Sequence, residues 1–155
     1  GAPYLTELVL TSPFTHNCRV QFIFLAKETT MATWNEIDNF LQGHGFKKDG
    51  ELWVGGYNLP DGRSQMALIG RFDFEGDNLD HIKVMSPFAK TSDISAEQAL
   101  SQAKLYGVCS AGTYYCLTDS IPIAEADAND ILVPLQFLSV LADQAEQAFG
   151  THDSL

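Results

Sequence analysis

Apolar and polar positions recur along this chain with two different periods, and the period assigns most of its elements. In CRVQFIFLAKE, Val20, Phe22 and Phe24 alternate with Arg19, Gln21 and Ile23, a period of two that fits a half-buried strand. YLTELVL precedes it, and Ser12-Pro13 and His16-Asn17 between them are turn material. Residues 1–30 therefore read as an extra N-terminal extended segment: either a strand pair covering the edge of the domain or a loosely attached arm. After Met31 the period changes. Thr33-Trp34-Asn35-Glu36 has the Thr-x-x-Glu form of a capping box, Trp34, Ile37, Phe40 and Leu41 fall on one helical stripe, and Gly43 or Gly45 can supply the left-handed residue that stops it.

Turn signals at Asp49-Gly50, Pro60-Asp61-Gly62 and Glu75-Gly76-Asp77-Asn78 leave room for three strands. Leu52 and Val54 face one way in the first, Met66, Leu68, Phe72 and Phe74 in the second with Gly70 in the row, and Ile82 and Val84 in the third. Arg71, Asp73, His81 and Lys83 alternate to the opposite faces, so one side of an antiparallel meander is expected to be buried and the other wetter. Pro87 is expected to end the meander. Ser95-Ala96-Glu97-Gln98 is a second capping box, and the small stripe Ala96, Ala99, Leu100, Ala103 predicts a closely packed helix ending at Gly107.

A two-residue turn at Gly112-Thr113 would pair Ala111 with Tyr114, Ser110 with Tyr115 and Cys109 with Cys116. Beyond Pro122, Asp127 to Asp130 supplies N-cap candidates, and Pro134 is expected within the first turn, which starts the last helix at about Asp130 or Ile131 and runs it to Phe149, with Gly150 as its stop. Leu135, Leu138, Leu141, Ala142, Ala145 and Phe149 form its core stripe. Val133, Phe137 and Val140 form a second apolar line beside it, and a stripe this wide asks for burial on two sides. One side is the protein's own sheet; the other is expected to be a second copy of the chain. The predicted fold class is α+β, an antiparallel sheet with helices packed on it in the order α-β-β-β-α-β-β-α, occupying residues 31–150 and followed by a tail at 151–155.

Composition narrows the role. At 155 residues and 45% hydrophobic, the chain fits one domain. Nine Lys and Arg against twenty Asp and Glu give a net charge of −11, which repels nucleic-acid phosphates and anionic membrane surfaces. No basic residue follows Lys104, so the acidic last third suits solubility or a basic partner segment. The apolar runs are far shorter than a membrane span and no charged-then-apolar leader opens the chain, which leads to the expectation of a soluble, cytoplasmic protein.

Candidate chemistry is sparse. Cys18, Cys109 and Cys116 form no CxxC and no metal-type spacing with His16, His44, His81 and His152, so reduced thiols are expected. Cys109 and Cys116 read first as two small buried apolar residues; a redox pair would need a strained cross-strand bridge. Glu125, Asp127 and Asp130 lack calcium-loop spacing and are accounted for by helix capping, while Asp80-His81 reads as a solvated strand end. Nucleophile-elbow, phosphate-loop and dinucleotide motifs are absent, and no catalytic residue, metal or cofactor is expected.

From Thr33 to Phe149 the chain resembles the YbjN-like bacterial sensory transduction regulators, which share the fold of type III secretion chaperones. The residues carrying the likeness are WNEIDNFLQGHGF, IKVMSPFAK, the strand end YYCLTDSIPI and DANDILVPLQFLSVLADQAEQAF. The resemblance implies a non-catalytic homodimer that holds extended protein segments, and it carries over no individual functional residue. The competing expectation is a small-ligand binder or enzyme with a pocket between the sheet and the second helix.

Overall fold

The computed structural model describes two N-terminal strands by their backbone pairing alone, and residues 33–72 and 80–150 with their side chains, Glu125 excepted. The N-terminal strands, β1 (Tyr4–Leu10) and β2 (Cys18–Phe24), pair antiparallel in a two-stranded sheet of their own, with Leu8 opposite Val20 and Thr6 opposite Phe22. The pair is a sheet of its own and not an edge of the six-stranded sheet. Phe74, Asp73, the Glu75–Asn78 turn and the 151–155 tail lie outside the described residues.

Helix α1 (Trp34–Gly43) starts where local chemistry says it should: the Thr33 hydroxyl accepts from the Glu36 amide, and the Glu36 carboxylate accepts from the Thr33 amide in return. Gly45, at φ 83°, turns the chain out of it, and Phe46 N bonds back to Leu41 O. Strands β3 (Lys47–Asp49), β4 (Leu52–Asn58), β5 (Ser64–Phe72) and β6 (His81–Lys90) then form an antiparallel meander. The three-residue β3, ahead of the Asp49-Gly50 turn, is an addition to the expected three strands.

Pro87 does not end the meander. It sits inside β6, where the register with the next neighbour shifts between Pro87 and Ala89. An irregularity of this kind is where a strand tolerates a residue without an amide hydrogen. The helix after it, α2 (Ala96–Leu100), has the anticipated Ser95–Gln98 capping box but only five residues. Of its predicted stripe only Ala99 is buried; Leu100 is 60% exposed, and Gly107 opens the next strand instead of closing the helix.

β7 (Gly107–Ala111) and β8 (Tyr114–Pro122) form the hairpin in the expected register, Ala111 with Tyr114, Ser110 with Tyr115 and Cys109 with Cys116. Gly112 takes the positive φ, 58°, that a tight hairpin turn needs at its first central position. β8 inserts beside β6, giving the sheet order β3-β4-β5-β6-β8-β7. A single 3₁₀ turn, Ile123–Glu125, leads into α3 (Ala128–Phe149), which closes at Gly150 with φ 66°.

α3 begins earlier than its Pro134 suggests. Asp127 accepts from the Asp130 amide at 2.9 Å and Asp130 from the Asp127 amide at 3.0 Å, so the cap forms ahead of Pro134 and leaves the proline in the second turn. The carbonyl that the proline leaves without its helical donor belongs to exposed Asp130, where water can replace the bond.

The sheet is apolar on both faces, which corrects the expectation of one buried and one wet side. Register decides it: Val54 sits opposite Leu68 and Leu68 opposite Met85, whereas Ile69 sits opposite Val84. Ile82 and Val84 therefore share a face with Ala67 and Ile69, not with Leu52, Val54, Met66 and Leu68. On that first face Ile131, Leu135 and Leu138 of α3, each at 0% exposure, pack against Leu117 and Ile121, and burial of such side chains stabilises by about 1.5–3 kcal/mol each. Arg71 belongs to the same side and keeps its exposure by laying its guanidinium over the Trp34 ring, 4.6 Å from the centroid. The other face carries Leu68, Met85 and Cys116 at its centre, with Leu52, Val54, Met66, Cys109 and Tyr114 around them and His81 and Lys83 in the same row.

Candidate functional site

Three features stand out once the elements are placed: an ionic seam between sheet and helix, the outer line of α3, and the paired cysteines on the second sheet face.

The seam lies where β5 starts under the C-terminal half of α3. Arg63 Nε donates to Asp143 Oδ1 at 2.7 Å and its Nη2 lies 3.8 Å from Glu146 Oε2. Gln65 Nε2 donates to Glu146 Oε1 at 2.9 Å and to the Pro87 carbonyl at 2.6 Å, while Gln147 Nε2 donates to Asp143 Oδ2 at 2.7 Å. Asp143 and Glu146 are both buried, and each has a cation and an amide facing it, which is what buried carboxylates need. The seam fixes the helix on the sheet.

The outer line is formed by Val133, Phe137 and Val140, which the structure brings together on the side of α3 turned away from Leu135, Leu138 and Ala142. All three are half-buried. From Ile131 to Leu141 no residue of α3 is exposed, although the far side of a sheet-packed helix is ordinarily polar. Next to this line the Gln136 side-chain oxygen is buried without a hydrogen-bond donor among the described residues. An open depression of about 540 Å³ adjoins the same helix end, with Val133, Pro134 and Pro122 as its apolar wall and Asp119 and Asp130 at its rim.

On the second sheet face Cys109 of β7 and Cys116 of β8 stand directly opposite each other, both as free thiols. Cys116 is 0% exposed and Cys109 is half-buried. Hydrogen bonding with the facing Cys116 thiol, the positive charge of Lys83 and a smaller effect of Thr118 outweigh burial and pull the Cys109 thiol from 9.0 down to about 6. The same bond and burial push Cys116 strongly upward. The sequence disclosed the pairing through the Gly112-Thr113 turn but not Lys83, which lies two strands away.

The remaining candidates take structural roles. Asp127 and Asp130 cap α3. Asp80 accepts from Trp34 Nε1 at 2.8 Å and Trp53 Nε1 donates to Asp38 at 2.9 Å, so both indoles tie α1 to the rest of the domain. Tyr114 and Tyr115 point to opposite faces of the sheet. The second depression, about 450 Å³ between α1 and β3–β4, is lined by Phe46, Trp53, Lys47 and Lys48. Among the described residues no three His, Cys, Asp or Glu side chains cluster to hold a metal ion, and no helix is long and apolar enough to cross a membrane. No family model, curated protein or solved structure matches the chain.

Proposed function

We propose that this protein is a non-catalytic protein-interaction module of the YbjN-like, secretion-chaperone-like kind, working in the cytoplasm as a homodimer through the outer line of α3. The observation that carries this reading is the apolar outer line of α3, where Val133 and Val140, one on either side of Phe137 in sequence, occupy positions that a helix packed only on its own sheet would give to polar residues. A net charge of −11 and the acid rim of the adjoining depression, Asp119 and Asp130, suit an extended basic segment as client.

The experiment is a pair of substitutions read by sedimentation. Val140→Arg is expected to weaken self-association more than tenfold while the thermal melt stays cooperative, and Val54→Arg, on the second sheet face, is expected to leave the association constant unchanged. Equal association of wild type and Val140→Arg would reject α3 as the contact.

A further inference from the structure

The paired cysteines have an arrangement that packing alone does not ask for. A two-residue turn makes Ala111–Tyr114 a hydrogen-bonded pair, and strict alternation makes Cys109–Cys116 another, with Cα atoms about 5.5 Å apart. That separation lies inside the Cα range a disulfide spans, roughly 4.4–6.8 Å, while the Cβ atoms of such a pair, roughly 5.5 Å apart, must draw together to roughly 3.5–4.5 Å, which makes the bridge a strained and readily reduced one. Cys109 stands on β7, the last strand in the sheet order, and is partly accessible; Cys116, one strand inward, is fully covered. Lys83 of β6 brings a positive charge toward the accessible sulfur, while the hydroxyl of Thr118, diagonal to it on β8, donates to the Val84 carbonyl at 3.1 Å. Among the described residues the same face also carries His81, two residues along β6 from Lys83, and Tyr114 of β8. A partly accessible thiol supported by a cation, with a shielded second thiol directly across from it, is the constellation of an attacking and a resolving cysteine.

We propose that Cys109 and Cys116 are a hydroperoxide-responsive dithiol, Cys109 attacking and Cys116 resolving, and that oxidation closes a cross-strand disulfide between β7 and β8. In the first step the Cys109 thiolate attacks the terminal oxygen of a hydroperoxide. The O–O bond breaks, the sulfur is oxidised to a sulfenic acid, and the departing alkoxide or hydroxide takes a proton from water. In the second step the Cys116 sulfur attacks the sulfenic sulfur as its own proton passes to the leaving hydroxide, so that the S–O bond breaks, the S–S bond forms and water departs. Two thiols and one hydroperoxide thus become one disulfide, one alcohol or water, and one further water. An external dithiol restores the reduced pair. This site is on the opposite side of the sheet from α3 and stands independently of the dimer.

The test uses the full reduced chain and hydrogen peroxide, with peptide mass mapping so that Cys18 is followed separately. A few equivalents at pH 7 are expected to give a Cys109–Cys116 disulfide reversible by dithiothreitol. Cys116→Ser should instead accumulate a sulfenic acid at Cys109, trapped as a dimedone adduct, and Cys109→Ser should give neither product. Should either variant fail to fold, the wild-type chain still decides through its iodoacetamide kinetics: Cys109 alkylation is expected to titrate with a midpoint near 6, and Lys83→Met to move that midpoint upward and slow peroxide oxidation several-fold at pH 7. A Cys109 midpoint at the ordinary thiol value, or peroxide treatment that leaves both thiols free or oxidises Cys18 in preference, would overturn the proposal.

Discussion

Gln65 of β5 and Glu146 of α3 meet inside the protein across 81 residues of sequence, the amide donating to the carboxylate at 2.9 Å. With Arg63 and Asp143 beside them they fasten the helix that carries the outer apolar line to the sheet that carries the cysteines. The energetics of this seam are asymmetric, because the two acids are buried whereas Arg63 retains 27% side-chain exposure.

Arg63→Met is accordingly expected to be costly, since it takes away the guanidinium that buried Asp143 holds at 2.7 Å. Allowing for the partial exposure of Arg63, the loss is about 2 kcal/mol, or a melting temperature lower by roughly 5 °C for a chain of this size. Thermal unfolding checks it, and Arg63→Met combined with Asp143→Leu should recover part of the loss.

Gly55 has no room for a methyl group. A Cβ there would come within 2.6 Å of the Phe46 ring, which is itself 7% exposed and held in the core. Gly55→Ala is expected to destabilise by about 1–3 kcal/mol, and Gly56→Ala, whose Cβ would meet only the Gln65 carbonyl at 3.9 Å, by much less. Urea denaturation of the two variants distinguishes them.

Asp127→Ala removes the side-chain acceptor for the Asp130 amide and should cost about 1 kcal/mol, with the loss of helicity confined to the start of α3. Amide hydrogen exchange should show faster exchange near Asp130 and unchanged protection around Leu138.

The thiol pair makes stability depend on pH with a definite sign. The folded protein holds Cys109 at about 6 against 9.0 for the ordinary thiol, so between those values the unfolded chain binds more protons and stability rises with pH. Cys116 is shifted the other way, so above the ordinary thiol value its contribution falls as the unfolded chain loses a proton the folded one keeps. Wild type should therefore gain in urea midpoint relative to Cys109→Ser from about pH 6 to about pH 9 and stop gaining beyond it. A constant difference across that window would contradict the electrostatics of the site.

What could be read from the chain beforehand was local. The capping boxes at Thr33 and Ser95 depend on residues three apart, and the Cys109–Cys116 register depends on a turn two residues long, so each is complete within a short window. Whatever depends on a partner far along the chain was hidden. The partners of Asp143 and Glu146 begin at Arg63, and the face occupied by Val84 is decided by its pairing with Ile69. Pro87 inside β6 and Pro134 in the second turn of α3 were misplaced for one reason: proline rules consider the missing amide hydrogen, whereas the structure supplies a register shift in one case and an exposed carbonyl in the other. Val133, Phe137 and Val140 were legible as one line because helical spacing alone places them.

The outer line of α3 is also where the account is most exposed. Sedimentation equilibrium of the full chain at high micromolar concentration measures its central claim directly. The predicted result is a dimer of about twice the 17.0 kDa chain mass, shifted toward monomer by Val140→Arg; a wild-type protein that remains monomeric throughout that range would contradict it.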